Sequence, residues 1–295
     1  MSRLTRLSDR LWILEGSPKT IIVVAEDVCW IVDPGMGTNR TNEIIAFIEK
    51  IAQNKEVNVL ISHAHYDHIE ALENLNCSKV FVHIKEVSAL VDPSVRERFV
   101  YGHNPFPRAH KLRKTSFENI AIETFSNPKE VSTDFEVIGL EGHSPGQVGI
   151  IFEGVLFVAD ALFGDKLIRR VGVPYHVDVE GAISALEHIL EIAKEVDKLV
   201  MSHGPILNKK RALEIIELNI DTIKTVKDLV ISHISSKFLS LEELSYNVLR
   251  DLNADTSYTS IILAIPTITS IIESFLKEHE VKVKVENSLV KWKLV

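Results

Sequence analysis

Cysteine is nearly missing from this chain: Cys29 and Cys77 are the only two in 295 residues. Two thiols cannot form a disulfide framework, which predicts a protein of the reducing cytoplasm. No run approaches 18 apolar residues, so no membrane span is expected. Met1 to Arg6 leads straight into the strand-like Leu11-Trp12-Ile13-Leu14, with neither an apolar h-region nor a small-residue cleavage site. Internal repeats and low-complexity stretches are lacking. Positive charge is short too: 33 Lys and Arg face 41 Asp and Glu, a formal net charge of -8. That balance does not favour a surface built to hold phosphate. The near absence of glutamine (two residues) hints at heat adaptation, and fourteen asparagines argue the other way. What remains is 45% apolar and 25% charged, an ordinary globular balance with length for one or two domains.

Histidine is where the chain is rich. His63-Ala64-His65-Tyr66-Asp67-His68 packs three imidazoles and a carboxylate into six residues, directly after the buried-strand run Val57 to Ser62. In an extended segment His63, His65 and Asp67 point the same way, and His68 stands where a helix begins. Neutral imidazole and carboxylate suit borderline divalent metals such as zinc. Further donors follow other apolar runs: His143 in Gly142-His143-Ser144-Pro145-Gly146, Asp160 after Val155–Ala159, and His203 after Leu199–Ser202. Strand ends are where a sheet can present side chains while its interior stays packed. Taken singly, Asp160 would serve as a turn cap, and Asp33, before Pro34-Gly35, as a turn former. No strand–Ser–helix elbow is present, and neither cysteine lies beside a histidine, so covalent nucleophilic catalysis is not indicated.

In this order the motifs resemble the metallo-β-lactamase fold superfamily of hydrolases over roughly residues 8 to 206. The resemblance implies an αββα sandwich, of α/β (α+β) class, with a two-metal site. His63, His65 and His143 would hold one ion and Asp67, His68 and His203 the other, with Asp160 bridging and Asp33 supporting from behind. Two departures stand out: Ser62 where Thr is common, and Glu70-Ala71 where Gly-Gly often follows. The ions are expected to be zinc, with manganese or ferrous iron as alternatives. Two such ions lower the pKa of a shared water toward neutrality, and Asp67 is placed to hold its proton. Three activities are compatible. The favoured one is hydrolysis of a small ester, thioester (as in glyoxalase II) or lactone; the others are single-strand RNA cleavage on the same metals and a one-iron persulfide dioxygenase. Tyr101, His103, Tyr175 and His176 fall in aromatic, loop-like segments and are candidates for the substrate pocket. His83 reads as structural, and His188, His233 and His279 as solvated.

Periodicity predicts strands near 10–16, 19–25, 28–33, 57–62, 79–83, 119–124, 135–140, 147–152, 155–159 and 197–202, and helices over 41–53 and 179–194. Residues 1–206 are read as the metal-binding catalytic domain and 207–295 as a small helical, winged-helix-like domain. In the latter a long helix spans 208–234, and Ser240-Leu241-Glu242-Glu243 opens a second as a capping box. A third segment over 258–279 is broken or restarted at Pro266. A terminal hairpin carries its lysines on the wet face. Packing, dimerisation or covering the site is favoured for this part over nucleic-acid binding, and a homodimer is compatible with the exposed hairpin.

Overall fold

The computed structural model describes residues 4–102, 117, 120–276 and 281–294. Seven strands form one sheet in chain order: β1 (Leu4–Arg6), β2 (Leu11–Leu14), β3 (Thr20–Val24), β4 (Val28–Val32), β5 (Glu56–Ile61), β6 (Lys79–His83) and β7 (Ile122–Phe125). The first four strands meander antiparallel, and β4 through β7 run parallel. A second sheet has five: β8 (Glu136–Gly139), β9 (Val148–Phe152), β10 (Val155–Phe157), β11 (Lys198–Val200) and β12 (Ile206–Asn208), in the order β12-β11-β10-β9-β8. Within it only β10 and β11 pair in parallel.

Alternation along the strands builds the layers. Trp30, Val32 and Leu60 of the first sheet join Ile150, Val155 and Phe157 of the second in one apolar cluster. Their neighbours Cys29, Ile31, Val59 and Ile61 turn to the other face and pack with Ile44 and Phe47 of α1 (Thr38–Ile51). On the far side of the second sheet, Leu156 and Val158 meet Leu186 and Ile189 of α6 (Val179–Ala193). Helix, sheet, sheet, helix is therefore the order of the layers. Each fully buried Leu, Ile or Val contributes roughly 1.5–3 kcal/mol.

The helix expected to begin at His68 is the short α2 (Tyr66–Ile69), whereas β1, β12, α3 (Val87–Val91), α4 (Pro93–Tyr101) and α5 (Asp165–Val171) escaped the periodicity reading. They span too few residues for a pattern to repeat. Helix α1 starts at Thr38 rather than 41, and the Gly37 N–H at its mouth donates to Glu70 Oε2 at 2.9 Å. Glu70 thus serves the end of a helix that has no acidic residue in its own first turn.

The C-terminal helices are α7 (Lys209–Ser236), α8 (Leu241–Asp251) and α9 (Tyr258–Leu276), followed by the hairpin β13 (Val281–Glu286) and β14 (Leu289–Leu294). Ile216, Ile223 and Val230 of α7, Val248 of α8 and Ile268 and Ile271 of α9 belong to the same cluster as Leu156 and Leu186. The Ser240–Glu243 capping box forms, each side chain accepting the other's backbone N–H. Two expectations are corrected. Helix α9 runs unbroken through Pro266, because its buried face (Ala264, Ile268, Ile271, Phe275) is held by the core on both sides of the ring. That helix is also long and apolar enough to cross a membrane by length and composition alone, a property that a core helix shares. In the hairpin the lysines are not simply the wet side: Val283, Val285 and Val290 are 53%, 74% and 51% exposed, while Trp292 and Leu294 on that same face pack against the core. Lys291 is buried between Glu243 and Glu286, and Lys284 and Lys293 lie over the Phe238 ring. Cross-strand partners share a face, and exposure varies along the lysine face: Lys282, opposite Lys293, is exposed where Lys291 is buried.

Candidate metal centre

Asp33 directly follows β4, and His63 stands two residues beyond β5. Asp160 and His203 each stand three residues beyond β10 and β11. His143 comes from the loop joining β8 to β9. The Val148 N–H donates across to Ser62 O at 2.9 Å, stitching the two sheets together beside the site. Asp33 and Ala159 adopt left-handed backbone (φ 53° and 48°) although neither is glycine. Such positions cost about 1–3 kcal/mol each and gather at functional sites. The His143 loop is set by two glycines: a Cβ on Gly142 would lie 2.4 Å from Ala182 N, and one on Gly146 2.4 Å from His83 Nδ1.

Two donor groups result. His63 Nε2 and His143 Nε2 each lie 3.0 Å from His65 Nδ1. His68 Nε2 and His203 Nε2 lie 3.9 and 3.3 Å from Asp67 Oδ2. Asp160 Oδ2 sits between the groups, 3.7 Å from His143 Nε2, 3.6 Å from His68 Nε2 and 3.4 Å from His203 Nε2.

Behind these atoms, hydrogen bonds choose the tautomers. His143 donates its Nδ1–H to the Tyr175 carbonyl at 2.9 Å, leaving Nε2 to face the centre. His68 donates Nδ1–H to Asp33 Oδ2 at 2.8 Å. Asp33 also accepts the Ser62 N–H and hydroxyl, at 2.8 and 2.6 Å, and the Ser62 oxygen in turn lies 3.0 Å from His63 Nδ1. His203 Nδ1 lies 2.7 Å from Ser17 Oγ, and the Lys19 ammonium donates to the neighbouring Gly204 carbonyl. Ligand orientation of this kind tunes metal sites as strongly as the ligands themselves.

Burial holds His63 well below the usual imidazole value, His65 at about 4 and His143 at about 3, so all three keep free lone pairs at neutral pH. Burial also opposes charge on His68 and His203, yet carboxylates outweigh it. Asp33, Asp160 and Asp67 raise His68, and hydrogen bonds to Asp160 and Asp67 lift His203 to about 9. Against its own burial, His68 and His203 hold Asp67 at about 2. The pocket thus collects negative charge that demands cations. His68 Nε2 and Asp160 Oδ1 are buried with no hydrogen-bond partner among the described residues. Orphaned atoms of these types, in an imidazole and carboxylate donor set, fit divalent metal.

All seven expected ligand residues and Asp33 come together. Tyr101 ends α4, where burial and the nearby Asp67 raise its phenol. Tyr175 packs its ring 5.8 and 5.3 Å from His65 and His143 and donates its O–H to the Phe99 carbonyl at 2.5 Å. His176 is buried against Phe163, 6.4 Å from the His143 ring. His103 and His279 lie outside the described residues. Glu86 went unnoticed in the sequence. It is 1% exposed, and its carboxylate accepts the Ala64 N–H at 3.0 Å and the Gly146 N–H at 2.7 Å. The one available signal was its place three residues after His83, at the end of β6.

The profile of the metallo-beta-lactamase superfamily matches residues 15–203 of the 295. The hydroxyacylglutathione hydrolase of Vibrio campbellii is 25% identical over 188 residues, 63% of this chain and 58% of that protein. A probable metallo-hydrolase of Methanocaldococcus jannaschii is 27% identical over 186 residues, 60% of this chain and 82% of its own length. The chain thus spans little more than half the length of the hydroxyacylglutathione hydrolases it matches. In fold it is similar to a metallo-beta-lactamase family protein of Thermus thermophilus, with a TM-score of 0.70 at 16% identity, covering 98% of this chain and all of that one.

Proposed function

From the premise that this chain belongs to the metallo-beta-lactamase superfamily, we propose that it is a two-metal hydrolase of a small ester, thioester or lactone. The observation that carries this reading is the position of Asp160 Oδ2, within 3.7 Å of donors from both groups. His63, His65 and His143 would hold one ion, Asp67, His68 and His203 the second, and Asp160 both. Two divalent ions, zinc by donor chemistry, supply an acidified water and a Lewis acid for the substrate carbonyl.

The chain's own residues do the rest. Asp67, on the open side of the cluster, accepts and holds the proton of the attacking water. Asp33 keeps His68 oriented, and Tyr175 O does the same for His143. The packed rings of Tyr175, His176 and Phe163 close one wall against solvent. A thioester is favoured within the class because relatives at about this identity are named hydroxyacylglutathione hydrolases. Low cation content favours an uncharged acyl group over a phosphodiester.

The test is elemental analysis of protein purified without added metal, for wild type and Asp160→Ala, followed by thioester, lactone and RNA panels. About two zinc or manganese per chain, falling in the variant, with thioester or lactone turnover, is expected. One iron per chain with oxygen uptake on a persulfide would replace this reading with a dioxygenase, and RNA cleavage alone would replace it with a nuclease.

A further inference from the structure

Several hydroxyls on the C-terminal helices do what mid-helix hydroxyls usually do. Thr222, Thr225 and Ser245 donate to the carbonyl four residues earlier, at 2.7, 2.8 and 2.7 Å. Thr267 and Ser270 of α9 depart from that pattern. Thr267 Oγ1 accepts the His176 N–H at 2.8 Å and donates to Pro174 O at 2.8 Å. Ser270 Oγ accepts the Val179 N–H at 2.9 Å, beside Val177 and Asp178, whose N–H groups donate to the Gly142 carbonyl next to His143. Between Pro174 and His176 lies Tyr175, whose carbonyl takes the His143 Nδ1–H. The single hydroxyl of Thr267 therefore brackets, on both sides, the peptide that orients His143.

A second link leaves α7. Asn219 Oδ1 accepts the Phe163 N–H at 3.0 Å, and its Nδ2 donates to the Phe163 carbonyl at 2.8 Å. Both backbone groups of one residue are thus pinned, three residues beyond Asp160. The Phe163 ring also packs 5.8 Å from His143. Asn219 and Thr267 are each 1% exposed within an otherwise apolar cluster, where an amide or hydroxyl is costly unless it is bonded. Filling that space with Leu or Val would serve packing alone; polar atoms here serve the loops.

We propose that Asn219, Thr267 and Ser270 are positioning residues of the metal centre. They set the orientation of His143 and the course of the Asp160 loop, which makes the C-terminal helices a working part of the site. The proposal rests on the metal-centre reading above. Loss of the Thr267 hydroxyl frees the Tyr175 peptide to turn, and the imidazole of His143 loses the acceptor that selects its tautomer. Outer contacts of this kind are worth about 10- to 100-fold in metal affinity, and a contact one step further out belongs at the low end.

The test uses the full chain stripped of metal and titrated with Co2+ against a competing chelator, following the cobalt absorption bands, with thermal unfolding measured alongside. Thr267→Val and Asn219→Leu are expected to weaken Co2+ binding about tenfold and to shift the bands, and Thr267→Ser to restore both. Ser245→Ala removes an equally buried hydroxyl elsewhere and is expected to alter stability alone. Should Thr267→Val fail to fold, Ser270→Ala carries the same comparison with a smaller loss. Variants that bind and absorb as wild type while melting earlier overturn the proposal. Wild-type protein that takes up no Co2+ overturns the metal-centre reading instead, and the proposal with it.

Discussion

The Glu86 carboxylate accepts one N–H from the loop of His63 and His65 and one from the loop of His143. Glu86→Ala leaves both buried donors without a partner, at about 1–3 kcal/mol each. A drop of that size in unfolding free energy is expected from denaturant titration, with roughly half of it for Glu86→Gln, which keeps one acceptor. An unchanged midpoint for the alanine variant would mean that water replaces the carboxylate. Cys29 offers a pH prediction. Burial pushes its thiol to about 12 from 9.0, and that of Cys77 to about 11. A raised thiol pKa favours the neutral form in the fold, so its stabilising contribution is complete below pH 9 and declines as pH rises toward 12. At pH 8 a thiolate-specific reagent is expected to label Cys77 about tenfold faster than Cys29 in native protein, and both alike in denaturant. Equal native rates would contradict the difference in burial.

At the scale of elements, α9 is the informative case. Proline inside a helix removes a hydrogen bond and crowds the preceding turn, at about 3 kcal/mol, so the pattern alone predicts a break at Pro266. Contacts of Ala264, Ile268 and Ile271 with the core exceed that local penalty. Pro266→Ala restores the missing donor, and a rise in melting temperature is expected, by up to the equivalent of about 3 kcal/mol. A fall would show that the half-buried ring itself packs against the fold. The hairpin makes a related point. Its alternation of Val and Lys correctly announces two strands, but alternation is symmetric, and only the neighbours decide which face is wet. Glu243 holds Lys291 and Phe238 lies under Lys284, while Val283, Val285 and Val290 stand exposed.

For the whole molecule, the cluster formed by α6, the second sheet and α7 to α9 is continuous. A chain ended after residue 206 would lose the share of that cluster contributed by α7 to α9 and leave apolar surface uncovered. We expect that fragment to aggregate or to bind a hydrophobic dye without a cooperative melting transition. A fragment that melts cooperatively and takes up metal like the full chain would show that residues 1–206 fold alone. Dependence of this kind also bears on function, since the same helices carry Asn219, Thr267 and Ser270.

Much of the centre was legible because its chemistry is local. His63 to His68 lie within six residues, and His143, Asp160 and His203 each close a recognisable strand or turn. Apolar alternation likewise determined the strands, and through them the layered fold. Glu86, Ser17 and Asn219 were not legible, because each acts on backbone groups or side chains far along the chain, and no spacing rule connects residue 219 to residue 163. The sequence by itself therefore determined which ligand types exist and on which strand ends they stand. Only the tertiary structure decided which loops are tied together, which tautomers face the centre, which hairpin residues meet water, and that a proline can stay inside a helix. Those outcomes depend on long-range burial and hydrogen bonding, whose free energies exceed the local preferences that a sequence pattern records.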